Sequence, residues 1–277
     1  MTRQQQQGLS MIELLVALAL SSFLILGITQ IYLDNKRSYM FQQNQAMNLD
    51  SARFSDHILT ELLGKAGYLR TNAQTLDNFP ASTALGTHCE AFGAGQAVTQ
   101  LKNNQPGLCL RYQPAVDGEL GCAGFSHTLA NKNAFTAPAS SEIIHIALKF
   151  VADDANLQNG VIQCVDASGT ADLINGVADL RIEFGVGKKE PEKSLLDSSP
   201  WKLPAAWAAG QGPVRAVRYS VLLASAPNQR DGDSAVFTHW INTLVSSDER
   251  KTLLQSQDKR RIYQIATGSQ ALRNLSP

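Results

Sequence analysis

The sequence predicts an α+β fold: a long N-terminal hydrophobic α-helix, half of it transmembrane, packed by its C-terminal half on an antiparallel β-sheet. Three observations predict it. From Leu9 to Leu33 the chain holds one charge, Glu13, and the run Met11 to Leu33 makes a helix of ~33 Å, about one bilayer core. From Asp34 to Lys65 helical spacing continues, with no Pro and no Gly before Gly64. Beyond Tyr68 the pattern becomes short apolar or alternating runs punctuated by Gly, Asn, Asp and Pro. No alternation of helix with strand appears there, so the sheet is antiparallel.

The leader, residues 1–8, reads MTRQQQQG: polar, one Arg, ending in Gly8. A secretory signal has a shorter apolar core with an A-x-A-like cut site after it; here the small residue precedes the apolar core. Residues 9–33 form the span. Its carboxylate, Glu13, is costly: insertion scales put an acid at the bilayer centre at ~2.5 to 3.5 kcal/mol, less near the end of a span. Such a group persists where something offsets it. The plainer reading is a Glu snorkelling at the membrane edge.

The helix is predicted over 9–66. Met47, Phe54, Ile58, Leu62 and Ala66, with Leu59 and Leu63, fall on one face, and KAGY (65–68) supplies a C-cap glycine. About 55 helical residues reach ~85 Å, so the first half needs lipid or other helices and the second half packs on a body. Gly27 and Ser21-Ser22 are candidate soft points.

Residues 67–277 form the body. The stretch 70–107 reads as an irregular connection with a short strand at 97–101. Strands are predicted at 108–114, 142–151, 160–166, 178–186, 214–225 and 260–269, separated by turns such as Asp117-Gly118, Asn159-Gly160, Asn175-Gly176 and Asp231-Gly232. The proline-bounded segment 200–213 suits a short helix over a sheet edge. Two subsheets are expected, split near 187–213 at the charged loop 188–199.

The chain has 277 residues, a net formal charge of 0, 17% charged and 44% hydrophobic residues. That balance carries no electrostatic footprint for nucleic acid. No Walker, Rossmann or G-x-S-x-G pattern occurs, and Asp153-Asp154 lies in a polar turn, so no catalytic residue, and no enzyme, is assigned. His88-Cys89 lacks C-x-x-C or H-x-x-x-H spacing, and Asp231-Gly-Asp233 lacks a Glu at the twelfth position of a calcium loop, so no metal or cofactor is expected. Trp201, Trp207 and Trp240 are either interface anchors or core residues. The four cysteines, Cys89, Cys109, Cys122 and Cys164, all follow the span.

The polar leader, Gly8, the apolar run and Glu13 together resemble the class III signal of type IV pilins and type II secretion pseudopilins. The body strengthens one branch, the PilW family of minor pilins, through KAGY (65–68), LRYQPAVDG followed by GCAG (110–124), IQC (162–164), NGVADLRIEFGV (175–186) and RNL (273–275). The resemblance implies that a prepilin peptidase cuts between Gly8 and Leu9 and methylates Leu9. It implies that 9–33 is first a membrane anchor and then filament core, and that Glu13 meets the N-terminal amine of a neighbouring subunit. It places the body in the periplasm, where disulfides persist, and implies the pairs Cys122–Cys164 and Cys89–Cys109. Four cysteines allow three connectivities, and a local Cys109–Cys122 link is the competing reading.

The implied role is a minor pilin that primes type IV pilus assembly and sits at the tip beneath an adhesin, supporting twitching motility and adhesion. The implied partners are other minor pilins, the major pilin, the inner-membrane assembly platform and lipid. A tip pseudopilin of type II secretion is the alternative; loss of twitching against loss of exoprotein secretion in a deletion strain separates the two. A signal-anchored periplasmic enzyme or binding protein is the reading from another class, and it requires an uncleaved leader and a polar pocket of convergent titratable groups.

Overall fold

In the computed structural model residues 10–71, 73–75, 78–139, 142–187, 201–207, 212–272 and 274 are described. The first helix, α1, is one unbroken run, Met11–Lys65, of 55 residues. Ser10 caps it, its hydroxyl accepting from the Ile12 amide at 3.4 Å. Its C-terminus is closed from three directions. The Ala66 amide turns back to Leu63 O at 3.1 Å. Gly67 takes φ 71°, the left-handed value that favours glycine at this position, and donates to Arg111 O at 2.9 Å. Asn274 Nδ2 reaches Gly64 O at 3.0 Å and Ala66 O at 3.2 Å, so the middle residue of the RNL motif caps a helix two hundred residues upstream.

Among the described residues eleven strands follow in chain order: β1 (Val98–Thr99), β2 (Gly107–Tyr112), β3 (Glu119–Leu120), β4 (Ser126–His127), β5 (Ile144–Val151), β6 (Val161–Asp166), β7 (Gly169–Asn175), β8 (Val177–Val186), β9 (Trp201–Lys202), β10 (Val214–Ala224) and β11 (Tyr263–Ala271). All pairings among them are antiparallel. They make a five-stranded sheet, β1-β2-β5-β6-β7, a four-stranded sheet, β11-β10-β8-β9, and the small hairpin β3-β4.

The two sheets divide elsewhere than the sequence suggests. The expected split near 187–213 is replaced by one at Gly176, where β7 ends and β8 starts the second sheet. The β8 segment 177–186 pairs with β10 along its length. Segment 200–213 is not a covering helix in its described part: Trp201–Lys202 pairs with β8 at Phe184 and Gly185, and Pro204–Ala206 is a single 3-10 turn. The charged loop 188–199 lies outside the described residues. Strand β7 escaped the sequence reading because GTADLIN is a mostly exposed, polar edge strand, with Ile174 alone buried.

Two helices near the C-terminus were also not expected. Helix α2 (Ala235–His239) runs into a π turn, Trp240–Leu244, and α3 (Asp248–Ser256) follows. Each is too short to show apolar periodicity. Serine caps both: Ser234 Oγ accepts from Phe237 N at 3.2 Å and Ser247 Oγ from Arg250 N at 3.2 Å. Phe237, Trp240, Ile241 and Leu254 pack with Leu222, Ala224 and Tyr263 on one face of the second sheet, while the main core fills the other face under α1. The second sheet is thus buried on both sides, which is why β10 is apolar almost without break from Tyr219 to Ala224.

The face of α1 in contact with the body is the expected one at Leu59, Leu62, Leu63 and Ala66, with Ile58 packed beside them, but departs from it at Met47 and Phe54. Asn48, Ala52, Ser55, Leu59, Leu62 and Leu63 are buried, whereas Met47 is 60% and Phe54 48% exposed. Small and polar residues win the middle of this face because α1 runs close over β11. Asn48 Nδ2 donates to Ile262 O at 3.1 Å and the Ser55 hydroxyl satisfies itself on Ser51 O at 2.6 Å. At Gly268 on β11 a Cβ would meet the Tyr219 hydroxyl and lie 3.0 Å from Asp56 Oδ1.

The irregular stretch 70–107 is organised by one buried cation. Arg111, fully buried, donates to Gln96 O at 2.6 Å, Pro80 O at 2.6 Å and Gly93 O at 2.9 Å. Its guanidinium lies between the rings of Phe79 and Phe92, at 5.0 and 4.9 Å. Burial pulls its pKa down to about 10. Cys89 is bonded to Cys109, which ties the same stretch to β2, and Cys122 is bonded to Cys164, which ties the β3-β4 region to β6; both pairs have Cα atoms 6.0 Å apart.

Peptide mapping of unreduced protein is expected to recover Cys89–Cys109 and Cys122–Cys164, and a Cys109–Cys122 peptide would contradict this connectivity. Opening the longer loop, of sequence separation 42, with Cys122→Ala/Cys164→Ala costs roughly 3 to 4 kcal/mol on the chain-entropy model, read by denaturant unfolding. Gly268→Ala is expected to cost about 1 to 3 kcal/mol through overpacking against Tyr219, and unchanged unfolding would show that α1 does not seat this closely.

Candidate assembly helix and its junction with the body

Every residue from Ser10 to Gln43 is exposed. In the first part of that run the exposed side chains are large and apolar: Met11 is 85%, Phe23 74% and Leu26 67% exposed. The helix is long and apolar enough to cross a membrane. Within it the hydroxyls cost nothing to immerse, because each bonds to its own helix: Ser21 to Ala17 O, Ser22 to Ala19 O at 2.7 Å and Thr29 to Ile25 O at 2.7 Å. Gly27 and the Ser21-Ser22 pair leave the helix continuous.

Glu13 is the exception. It sits in the first turn, where the positive end of the helix dipole favours a carboxylate, yet no cation pairs with it among the described residues. Gly8 and Leu9 lie outside the described residues. The span ends in a polar step, Gln30 Nε2 donating to Asp34 at 3.2 and 3.3 Å.

Contact with the body begins at Asn44, whose Nδ2 donates to Gln229 Oε1 at 3.2 Å. The junction is then latched by a residue the sequence reading treated only as a strand position. Tyr219 of β10 donates to Asp56 Oδ1 at 2.5 Å and lies 3.1 Å from Thr60 Oγ1. Burial and the Asp56 carboxylate push the Tyr219 phenol up to about 12, so it remains a neutral donor throughout the physiological range. The sequence signal was present, since Asp56 and Thr60 are one turn apart on the body-facing side, but nothing in one dimension pairs them with a tyrosine so far downstream.

The other candidate positions sort into structure. Trp240 is fully buried and donates from Nε1 to Asp179 Oδ2 at 2.9 Å. Trp207 is buried edge-on to Phe184 at 5.7 Å. Trp201 is half-exposed beneath the Arg218 guanidinium at 4.7 Å. Cys89 is disulfide-bonded and offers no thiolate beside His88, and no three His, Cys, Asp or Glu side chains converge among the described residues. His145 is half-buried, edge-on to Phe92 at 5.6 Å and opposite Arg111 across the β2–β5 pair, and its pKa falls to about 4 through desolvation first and the Arg111 charge second.

A cleft of about 500 Å³ opens between the two sheets. Its ionised groups are engaged with one another. Arg250 bridges Asp154 at 2.9 Å and Asp179 at 3.3 Å, and Arg181 pairs with Glu183 at 2.8 Å. These contacts join α3 and the β5-β6 turn to β8.

Residues 3–29, which contain Gly8, Leu9 and Glu13, match the family model described as the prokaryotic N-terminal methylation motif. No curated protein matches the chain. Among solved structures, a type IV-like pilin from Thermus thermophilus is similar over 82% of this chain and 97% of that chain, at 13% identity and a TM-score of 0.42. The chain thus joins a prokaryotic N-terminal methylation motif to a long apolar helix packed on antiparallel sheets.

Proposed function

We propose that this chain is a minor pilin of the PilW type, which primes type IV pilus assembly and stands at the pilus tip with other minor pilins, supporting twitching motility and adhesion. The observation that carries the reading is the continuity of a methylation motif with an apolar helix of bilayer length, whose one carboxylate has no cation paired with it among the described residues.

The mechanism follows from that carboxylate. A prepilin peptidase removes residues 1–8 and methylates Leu9, which leaves a cationic amine a few residues from Glu13. In one helix the two lie on the same short segment; between staggered neighbours, the amine of one chain reaches the carboxylate of the next. In a medium of low dielectric an unpaired carboxylate is expensive and an ion pair is strongly favoured. Glu13 therefore selects a stagger, while the apolar faces on either side supply nonspecific adhesion between helices. The body follows its helix out of the inner membrane and is presented at the tip, beneath an adhesin and above the assembly platform. The cleft between the sheets has its charges committed to internal pairs, as a packing joint requires, and this role has no catalytic step.

Intact-mass measurement of the membrane-extracted protein is expected to show loss of residues 1–8 and one added methyl group only in cells with prepilin peptidase. A mature chain beginning at Met1 would sink the proposal and favour the signal-anchored alternative. Glu13→Ala is expected to insert and be cleaved normally yet to lose about 2 to 5 kcal/mol of association, the range for stranding one partner of a buried charge pair. Undiminished copurification of partner pilins with that variant would reject the ion-pair mechanism.

A further inference from the structure

Below the body, where α1 leaves the span, a groove of about 770 Å³ opens between the helix and the loops at 228–231 and 260. Its lining carries four cations, Lys36, Arg37, Arg230 and Arg260, against one carboxylate, Asp231. Arg230 is fixed in place by Asp258 and by Arg261 O at 2.7 Å. Lys36, Arg37 and Arg260 are exposed, and among the described residues none of them forms an ion pair. The neighbouring carboxylate on the helix, Asp34, is engaged by Gln30. We propose that this groove binds the headgroup of an anionic phospholipid in the leaflet from which the helix emerges, and so seats the body on the membrane before assembly.

Depth and charge both point there. If Met11 to Leu33 fills the hydrocarbon, Lys36 and Arg37 stand one helical turn past its edge, within the ~5 to 7 Å headgroup layer on that side. Tyr32 and Tyr39, 63% and 65% exposed, bracket the same level, as aromatic side chains at a membrane interface do. Met40 and Phe41 line the groove beside the cations and give it an apolar wall for the glycerol and upper acyl region of a lipid. The body contributes its share from a loop held rigidly by backbone bonds. Asn228 N donates to Lys259 O at 2.9 Å and Gln229 N to Arg260 O at 3.0 Å, so Arg260 projects from a fixed rim.

The helix alone presents two adjacent cations, a weak and nonspecific attraction. The body adds the other two across a gap of headgroup size, which turns a charge pair into an enclosing site. A phosphodiester offers the anion, and the surrounding bilayer fixes its height. Occupancy would hold the body close to the bilayer, with its long axis set by α1, and extraction into a filament would release the lipid.

The proposal rests on residues 11–33 spanning the membrane, and the test separates the two. Full-length protein in neutral detergent is titrated with phosphatidylglycerol or phosphatidylcholine, and bound lipid is counted by native mass spectrometry. Phosphatidylglycerol is expected to bind about tenfold more tightly, with the preference lost in Lys36→Ala/Arg37→Ala/Arg260→Ala, none of which lies in the span or the core. Equal binding of both lipids, a preference that survives the triple substitution, or inorganic phosphate retained as well as the lipid would each overturn the lipid site. Alkaline carbonate extraction of the same protein reads the span directly. Release from the membrane there would refute the transmembrane reading and this proposal with it, whereas retention without lipid preference refutes the groove alone.

Discussion

One continuous helix carries two kinds of surface, apolar and exposed in its first half, packed on the body in its second. An α-helix satisfies its backbone internally, so it can pass from hydrocarbon to water without a break, but its side chains must change at the boundary. Up to Leu33 the exposed surface is mostly apolar, with Glu13 the one charge; from Asp34 charged and polar side chains are mixed with Tyr39, Met40 and Phe41, and from Asn44 the helix gains a body to lean on. The rest of the fold is arranged to grip the outer half of the rod without touching the inner half.

That grip is made with polar contacts as much as with apolar burial. Leu59, Leu62 and Leu63 anchor the far end in the main core. Nearer the apolar half of the helix the contact passes through Asn48, Ser55 and the Asp56–Tyr219 pair. Buried polar groups of this kind add little net stability, but each specifies one register, because any slide leaves a donor or acceptor stranded. A helix held only by leucines could shift by a turn at small cost. This one cannot, and the height of the body above the span is fixed accordingly. The Asn274 cap adds a stop at the top of the rod.

The sequence shows the rod, its length and the major strands, because those follow from period and composition. It shows the inner face of α1 at Leu59, Leu62, Leu63 and Ala66 but not lower down, at Asn48 and Ser55. Met47 and Phe54 outscore Asn48 and Ser55 on hydrophobicity, yet close approach to β11 at Gly268 favours small polar residues that find partners. It also hides the sheet division, since nothing local tells whether the strand after Asn175-Gly176 turns back onto its predecessor or joins another sheet. The methylation motif is legible in one dimension, because it is a contiguous pattern over residues 3–29. The Tyr219 latch is not, because it brings together residues 163 positions apart.

The same distinction explains the stretch from 70 to 107, which has almost no regular structure and still has a buried interior. Regular structure satisfies backbone carbonyls locally; an irregular chain needs donors brought from outside. Arg111 supplies three donors from a single side chain on β2, and the two phenylalanine rings flanking its guanidinium exclude water from the bonds it makes. A lysine could not replace it, since its three N–H donors sit on one nitrogen, whereas Arg111 reaches Gln96, Pro80 and Gly93 from three separate nitrogens of a planar fork. The Cys89–Cys109 bond then fixes the far end of the loop to the strand that carries the arginine. The residue that looked like an ordinary charge in LRYQPAVDG is therefore the fold of that whole region written at one position, and its burial, costly alone, is offset by the carbonyls that would otherwise be buried without partners.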